Sequence, residues 1–291
     1  VTWGAWHGRG DVLAGLATSV LLYARGWRAL RERGGARAST GPQLWCTLGG
    51  WGIVALALLS SLDVYQPLLL SVHMVQHELL LLVAPPLILL GNPLARTLWG
   101  LPGPVRAATG SLFSPRSPVR RALATLGRLP VSWGVSTGLL WVWHLPVLYD
   151  ATEGNGFVHN VEHVTFLAAG LLFWWPLVAS PPYGRPVGAL AKLGYLIAGL
   201  SQRSLLGAAL ALSHRVYYTH YLLVPRLSGL PALADQRLAG GIMWFGGGAV
   251  LLAAALHVIW TGLPGSPEDS RRARPLARAP SPASLSGMAR G

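Results

Sequence analysis

Cysteine is nearly absent: Cys46 is the only one in 291 residues. That arithmetic excludes disulfides within the chain, Cys-x-x-Cys redox pairs and thiolate metal sites. Any metal must be held by histidine, methionine or carboxylate. Cys46 itself reads as a small packing residue. Charge is scarce too, at 11% of residues against 52% hydrophobic, which is too apolar for a soluble domain of this length and ordinary for a helical bundle in lipid. No hydrolytic triad, phosphate loop or dinucleotide fingerprint is present, so the sequence does not read as an enzyme. Nor is there an internal repeat.

Acids are the rarer sign, with 10 Asp and Glu against 23 Lys and Arg and a formal charge of +13. In a soluble protein that excess would point to nucleic acid. Here the arginines fall between apolar runs and read as topology determinants beside lipid headgroups, with the bilayer rather than a nucleic acid as partner. The first apolar run follows Asp11 without a basic n-region or cleavage pattern, so it reads as a span rather than a signal peptide.

A bilayer core of roughly 30 Å needs about 20 helical residues. Segments of that length fall at about 12–30, 45–62, 68–91, 132–150, 158–179, 188–213 and 239–261. The expected fold is therefore an all-α integral membrane bundle of about seven transmembrane helices within residues 1–263, followed by a basic, disordered cytoplasmic tail over 264–291. Pro85-Pro86 should bend the third span. Arg25, Arg28, Arg31, Arg33 and Arg37 lie between the first two spans, and Arg96, Arg106, Arg116, Arg120, Arg121 and Arg128 between the third and fourth. Both loops should be cytoplasmic, which puts the N-terminus outside and the C-terminus inside. The alternate loops carry Asp63, Asp150 and Glu153. The mildly basic stretch from Arg215 to Arg237 disagrees with its placement outside.

That topology gathers the histidines. His73, His77, His144, His159, His163, His214, His220 and His7 all fall toward the outer face, and only His257 falls toward the cytoplasm. One membrane histidine is ordinarily a packing residue, but this group contains two i,i+4 pairs, His73 with His77 and His159 with His163. Such spacing places each pair on one helix face, Cβ atoms about 5–6 Å apart, which suits two imidazoles on one ion. Met74 and Met243 lie at similar depth as thioether donors or, more blandly, core packing. Glu162, Asp235 and Asp150 are near enough to orient imidazoles, although Asp150 reads better as a loop charge.

Two further charges sit near the midplane. Glu78 lies about 15 Å into the third span at the helical rise, and Arg203, preceded by Gln202, reaches a similar depth in the sixth. Ionised groups there call for pairing or a wet cavity, so Glu78 and Arg203 are expected to compensate each other.

The stretch from His73 through Met74, His77 and Glu78 to Pro85-Pro86 and Gly91-Asn92-Pro93 resembles the signature of the CtaG-like bacterial cytochrome c oxidase assembly factors. Trp143-His144-Leu145-Pro146, Tyr149-Asp150-Ala151, His159, Glu162-His163 and Leu172 to Pro176 are similar to that family's middle region. Asp235 to Trp244 is similar to its approach to the last helix. The resemblance implies a multi-pass protein of the bacterial plasma membrane that supplies copper to oxidase subunits, with His73, His77, His144, His159 and His163 as the family's histidines. It also implies a methionine where this chain has Glu78. Three other functions remain open on the residues: a transporter using Glu78, Gln202 and Arg203, a membrane haem protein, and a scaffold that binds no metal.

Overall fold

The structure is a computed structural model that describes residues 8–38, 40–114, 116–178 and 186–262. His7 and the expected tail over 264–291 lie outside the described residues. Every long element among the described residues is helical. The chain runs through α1 (Gly10–Ala38), α2 (Gly41–Leu59), α3 (Ser61–Tyr65) and α4 (Leu70–Leu90). Three short helices follow, α5 (Pro93–Gly100), α6 (Gly103–Leu112) and α7 (Pro118–Leu126). Then come α8 (Leu129–Trp143), α9 (Pro146–Gly154), α10 (Gly156–Val178), α11 (Ala189–Ala211), α12 (His220–Leu223) and α13 (Ala232–Gly262).

Four stretches among the described residues are long and apolar enough to cross a membrane: Gly41–Tyr65, Leu70–Leu90, Gly156–Val178 and Ala232–Gly262. The other expected spans coincide with α1, α8 and α11, of which α8 has only 15 residues. The single helix expected over 132–150 is divided. Proline lacks the N–H that would continue the ladder and disfavours helix in the residue before it, so α8 stops at Trp143 and Pro146 starts α9. The expected loop after α4 is mostly helical, and the last helix begins at Ala232 rather than near 239.

α4 is the central helix, packed on α2, α10 and α13. It contains a π-helical turn at Leu79–Val83, directly before Pro85-Pro86. The prolines have no N–H for the carbonyls of Leu80 and Leu81. α10 covers those oxygens at Gly170, where a Cβ would stand 2.7 Å from the Leu81 oxygen and 2.9 Å from that of Leu80. Only glycine lets the two backbones meet so closely. α13 carries a second π turn, Ile242–Gly246, against α4 and α11.

Hydroxyls and carboxylates tie the helices elsewhere. Ser132 and Ser136 of α8 donate across to the carbonyls of Leu172 and Ala169 on α10, at 2.6 and 2.9 Å. At one end of the bundle, buried Arg96 donates to the carbonyl of Gly91 and to the Gln43 side chain, each at 2.6 Å. Asn92 takes a left-handed conformation there (φ 48°), which turns the chain before Pro93 starts α5. The arginines of α1 and of α5 to α7 follow from this same end, because α4 finishes at it and α8 starts from it. The N-termini of α4 and α10 and the C-terminus of α8 are at the opposite end.

Between the ends, Arg203 of α11 donates through Nη2 to Glu78 Oε1 on α4, and both side chains are about nine-tenths buried. α13 closes over this ion pair at Gly247, where a Cβ would lie 2.7 Å from Glu78 Oε2. Removing one member of a buried pair leaves an uncompensated charge, at a cost of about 3–5 kcal/mol, whereas replacing both by apolar groups is often neutral. Glu78→Ala and Arg203→Ala should each lower the melting temperature of the detergent-purified protein, and Glu78→Leu with Arg203→Met should restore most of it. A double variant as unstable as the two losses added together would show that the charges do not compensate.

Candidate metal centre

Three helix ends converge on one point. α4 presents His73 and His77 from its first two turns, α10 presents His159, Glu162 and His163 from its first two, and His144 caps the C-terminus of α8. Each helix is set by its terminus. α10 begins where Asn155 Oδ1 accepts from the N–H groups of Phe157 and Val158, at 2.9 and 3.4 Å. α4 begins at Leu69, which has no side-chain acceptor of its own. Asp235 of α13 supplies it, accepting from Leu70 N at 2.7 Å, Ser71 N at 3.2 Å and Ser71 Oγ at 2.5 Å. A carboxylate at a helix N-terminus satisfies orphan donors and complements the dipole, so Asp235 fixes the helix that carries His73 and His77 instead of touching an imidazole.

The rings are close. Centroids lie 4.3 Å apart for His73 and His77 and 4.2 Å for His159 and His163. Across the helices they lie 5.6 Å apart for His73 and His163, 5.7 Å for His77 and His163, and 5.9 Å for His77 and His144. One donor atom from each of His73, His77, Glu162 and His163 falls within 4.8 Å of all the others. Donors on a tetrahedral ion with bonds of about 2.1 Å stand about 3.4 Å apart, so closing on a cation would draw these side chains inward.

Burial with missing partners gives the cluster its chemistry. Glu162 is fully buried, its oxygens 3.5 Å from His73 Nε2 and His77 Nε2, and neither oxygen has a hydrogen-bond partner. His73 Nε2, His144 Nε2, His159 Nε2 and both ring nitrogens of His77 and His163 are likewise buried and unpartnered. Buried polar groups are nearly always satisfied, and a buried carboxylate most of all requires positive charge. A proton on one of the facing imidazoles, or an ion among these donors, would supply it.

Two of the imidazoles are already oriented. His144 holds its Nδ1 2.7 Å from the Leu140 carbonyl, so that nitrogen carries the proton and Nε2 is left as a bare lone pair. His73 holds Nδ1 2.5 Å from the Tyr149 hydroxyl and 3.0 Å from Glu153 Oε1, with Nε2 turned toward Glu162. A carboxylate behind an imidazole in this way sets its tautomer and strengthens it as a ligand.

Glu153 and Tyr149 are the contacts of His73 that sequence reasoning missed, Glu153 having counted only as a loop charge. Their i,i+4 spacing after Pro146 was the available signal, since it puts both on one face of a short helix. That helix, α9, lies over the cluster. The Tyr221 hydroxyl, with one proton to share, lies 3.0 Å from the Gln66 carbonyl and 3.2 Å from Glu153 Oε1, and Asp150 accepts from Thr219 Oγ1 at 2.6 Å. Tyr149, Tyr218 and Tyr221 are all buried above the imidazoles.

Other expected residues go elsewhere. Met74 and Met243 pack in the apolar core with Phe166 and Leu70. Glu78 is engaged by Arg203, and Gln202 is half-buried beside that pair. His220 directs Nε2 to the Pro67 carbonyl at 2.8 Å and stands 3.8 Å from Glu153. His214 and His257 are exposed.

Residues 21–263 match the family described as cytochrome c oxidase caa3 assembly factor. The chain belongs to that family. It is also similar to uncharacterized proteins of Mycobacterium bovis and Mycobacterium tuberculosis, each 32% identical over 250 residues, and of Mycobacterium leprae at 27%. Those matches cover 81% of this chain but 36% of each relative, so the chain spans about a third of their length. No solved structure matches. To that family description the chain adds a buried histidine–glutamate cluster whose donors face one another.

Glu153→Gln and Tyr149→Phe should each weaken affinity for cupric ion about 10–100-fold while leaving the ion-to-protein ratio at saturation unchanged. Competition with a chromophoric chelator measures both quantities. Wild-type affinity in both variants would reduce Glu153 and Tyr149 to packing.

Proposed function

We propose that this chain holds copper reversibly at the centre formed by His73, His77, Glu162 and His163, and passes it to a subunit of haem-copper cytochrome c oxidase during assembly. The observation that carries this reading is the buried, unpartnered Glu162 carboxylate ringed by imidazole nitrogens that also lack partners. His144 and His159 stand next to these four and would take over as ligands when the ion moves. The role is that of a carrier and not a catalyst. Release is built into such a site, because six clustered donors offer an ion several overlapping sets of ligands.

The donors favour a particular form of copper. Both thioethers near this depth are packed in the core, which leaves imidazole and carboxylate. Those harder donors suit cupric ion better than cuprous. Glu78 does not change this, because its carboxylate is directed to Arg203.

The chain is proposed to lie in the bacterial plasma membrane as seven spans, with α1, α8 and α11 joining the four longer apolar stretches, and residues 264–291 as a cytoplasmic tail. α8 is short for a bilayer, but α9 continues over its end and the headgroup region can take up the difference. Arginines gathered at the end of the bundle opposite the histidines support an outward-facing centre. Oxidase subunits are the proposed partners, on that same side.

Copper analysis of the purified protein beside a His73→Ala, His77→Ala double variant tests the proposal, together with oxidase activity in cells carrying each. The wild type should retain copper, and the double variant should lose both copper and the activity it supports. Equal copper in the two would reject the centre. Oxidase activity that survives loss of copper would reject delivery, and oxidase loss with copper retained would favour a scaffold.

A further inference from the structure

The centre is closed on the side of α9, where three buried tyrosines cover it, and beneath, where Phe166 and Met74 are fully buried. On a third side it borders open space, although the His163 ring nitrogens are themselves covered. A cavity of about 280 Å³ runs between α1, α2 and α10, and His163 lines its inner end. His163 is 97% buried and neither ring nitrogen has a partner. Asn160, one turn earlier on α10, lies on the same face and lines the mouth with Arg9 and Asp11. Gly15 and Ser19 continue the α1 wall from Asp11 at i,i+4 spacing, so a single strip of α1 faces the cavity. A Cβ on Gly15 would meet nothing within 4 Å, and the wall is therefore open at that point.

The mouth is polar and suits a cation. Arg9 donates to Asn160 Oδ1 at 2.5 Å and to Asp11 Oδ2 at 2.9 Å, and its other terminal nitrogen is 3.7 Å from Asp63. Arg9 thus joins Asp11 and Asn160 at the mouth to Asp63 behind them. The walls behind this rim are apolar, lined by Val12, Leu16, Trp51, Val54, Leu58 and Val164, and it is at the rim that a hydrated cation gains a carboxylate oxygen on the way to an imidazole.

We infer that this cavity is the path by which the ion reaches and leaves the centre, with His163 as the first imidazole it meets. The inference rests on the copper-holding reading and adds a direction to it. The ion passes Asp11 and Asn160, transfers to His163, and is then drawn between His73, His77 and Glu162 without α9 having to lift. Arg9 sits across the opening, and its hydrogen bonds to Asn160 and Asp11 must yield as the cation enters.

Obstruction after folding gives the test. In a Cys46→Ala background, Gly15→Cys is purified and divided, one half labelled with N-ethylmaleimide and the other with a fluorescein maleimide, so that both halves carry a blocked thiol on identically folded protein. Gly138→Cys, on α8, is treated in the same way, since a Cβ there also meets nothing within 4 Å. Cupric ion alone is the probe, and both the rate of uptake and the final copper-to-protein ratio are recorded.

The bulky label at position 15 should slow uptake, and extraction by a chelator, by at least about tenfold, since access would then require a conformational opening. The final ratio should not change. Label size at position 138 should have no effect. Equal rates for the two labels at position 15, with normal final copper, would overturn the path while leaving the centre intact. Absence of copper from every sample, including the unlabelled wild type, would reject the centre and the path with it.

Discussion

A fully buried carboxylate with no hydrogen bond organises this molecule. Glu162 faces His73 and His77 across 3.5 Å on each side, within a bundle that excludes water from it. Such a group is tolerable only with positive charge beside it, from a protonated imidazole at 3.5 Å or from a cation, since among the described residues no guanidinium or ammonium is placed there. Arg203 is committed to Glu78 and Arg9 to the rim above His163. The cluster has the donors that could hold a cation, and the neighbouring elements fix the positions of those side chains.

That division of labour explains several acids that look alike in the sequence. Asp235 fixes the start of α4 through backbone N–H groups, which sets the height of His73 and His77. Glu153 stands behind His73 and fixes the ring. Asp150 holds α9 to the turn that starts α12. Glu78 balances a buried arginine and has no place at the centre. Each of these carboxylates is matched to a different donor, and among the described residues only Glu162 is left facing imidazoles with both oxygens free of hydrogen bonds.

The irregular backbone serves the same end. The π turn before Pro85-Pro86 and the glycine of α10 that packs on it bring α4 and α10 close together, so their histidine pairs can meet at the other end. Pro146 divides what would otherwise be one long helix, and the short helix it starts folds back as a cover. Helix interruptions in this protein are therefore where ligand geometry is made.

The sequence by itself determined the all-helical character, the family and the two i,i+4 histidine pairs, because apolar run length and helical spacing are local properties of the chain. It also determined that no pair of thiolates could take part, since the sequence holds one cysteine. Pairing of Glu78 with Arg203 was legible from depth alone, because two charges buried at one level have few alternatives. Tertiary structure alone decided which acids meet which groups. Asp235 caps a helix 165 residues away in the chain, and Glu153 leaves its loop role for a place behind His73, because these contacts depend on how helix ends converge and not on any spacing along the sequence. The opening beside His163 was likewise undetectable from residue order, since a cavity is defined by what three separate helices fail to fill.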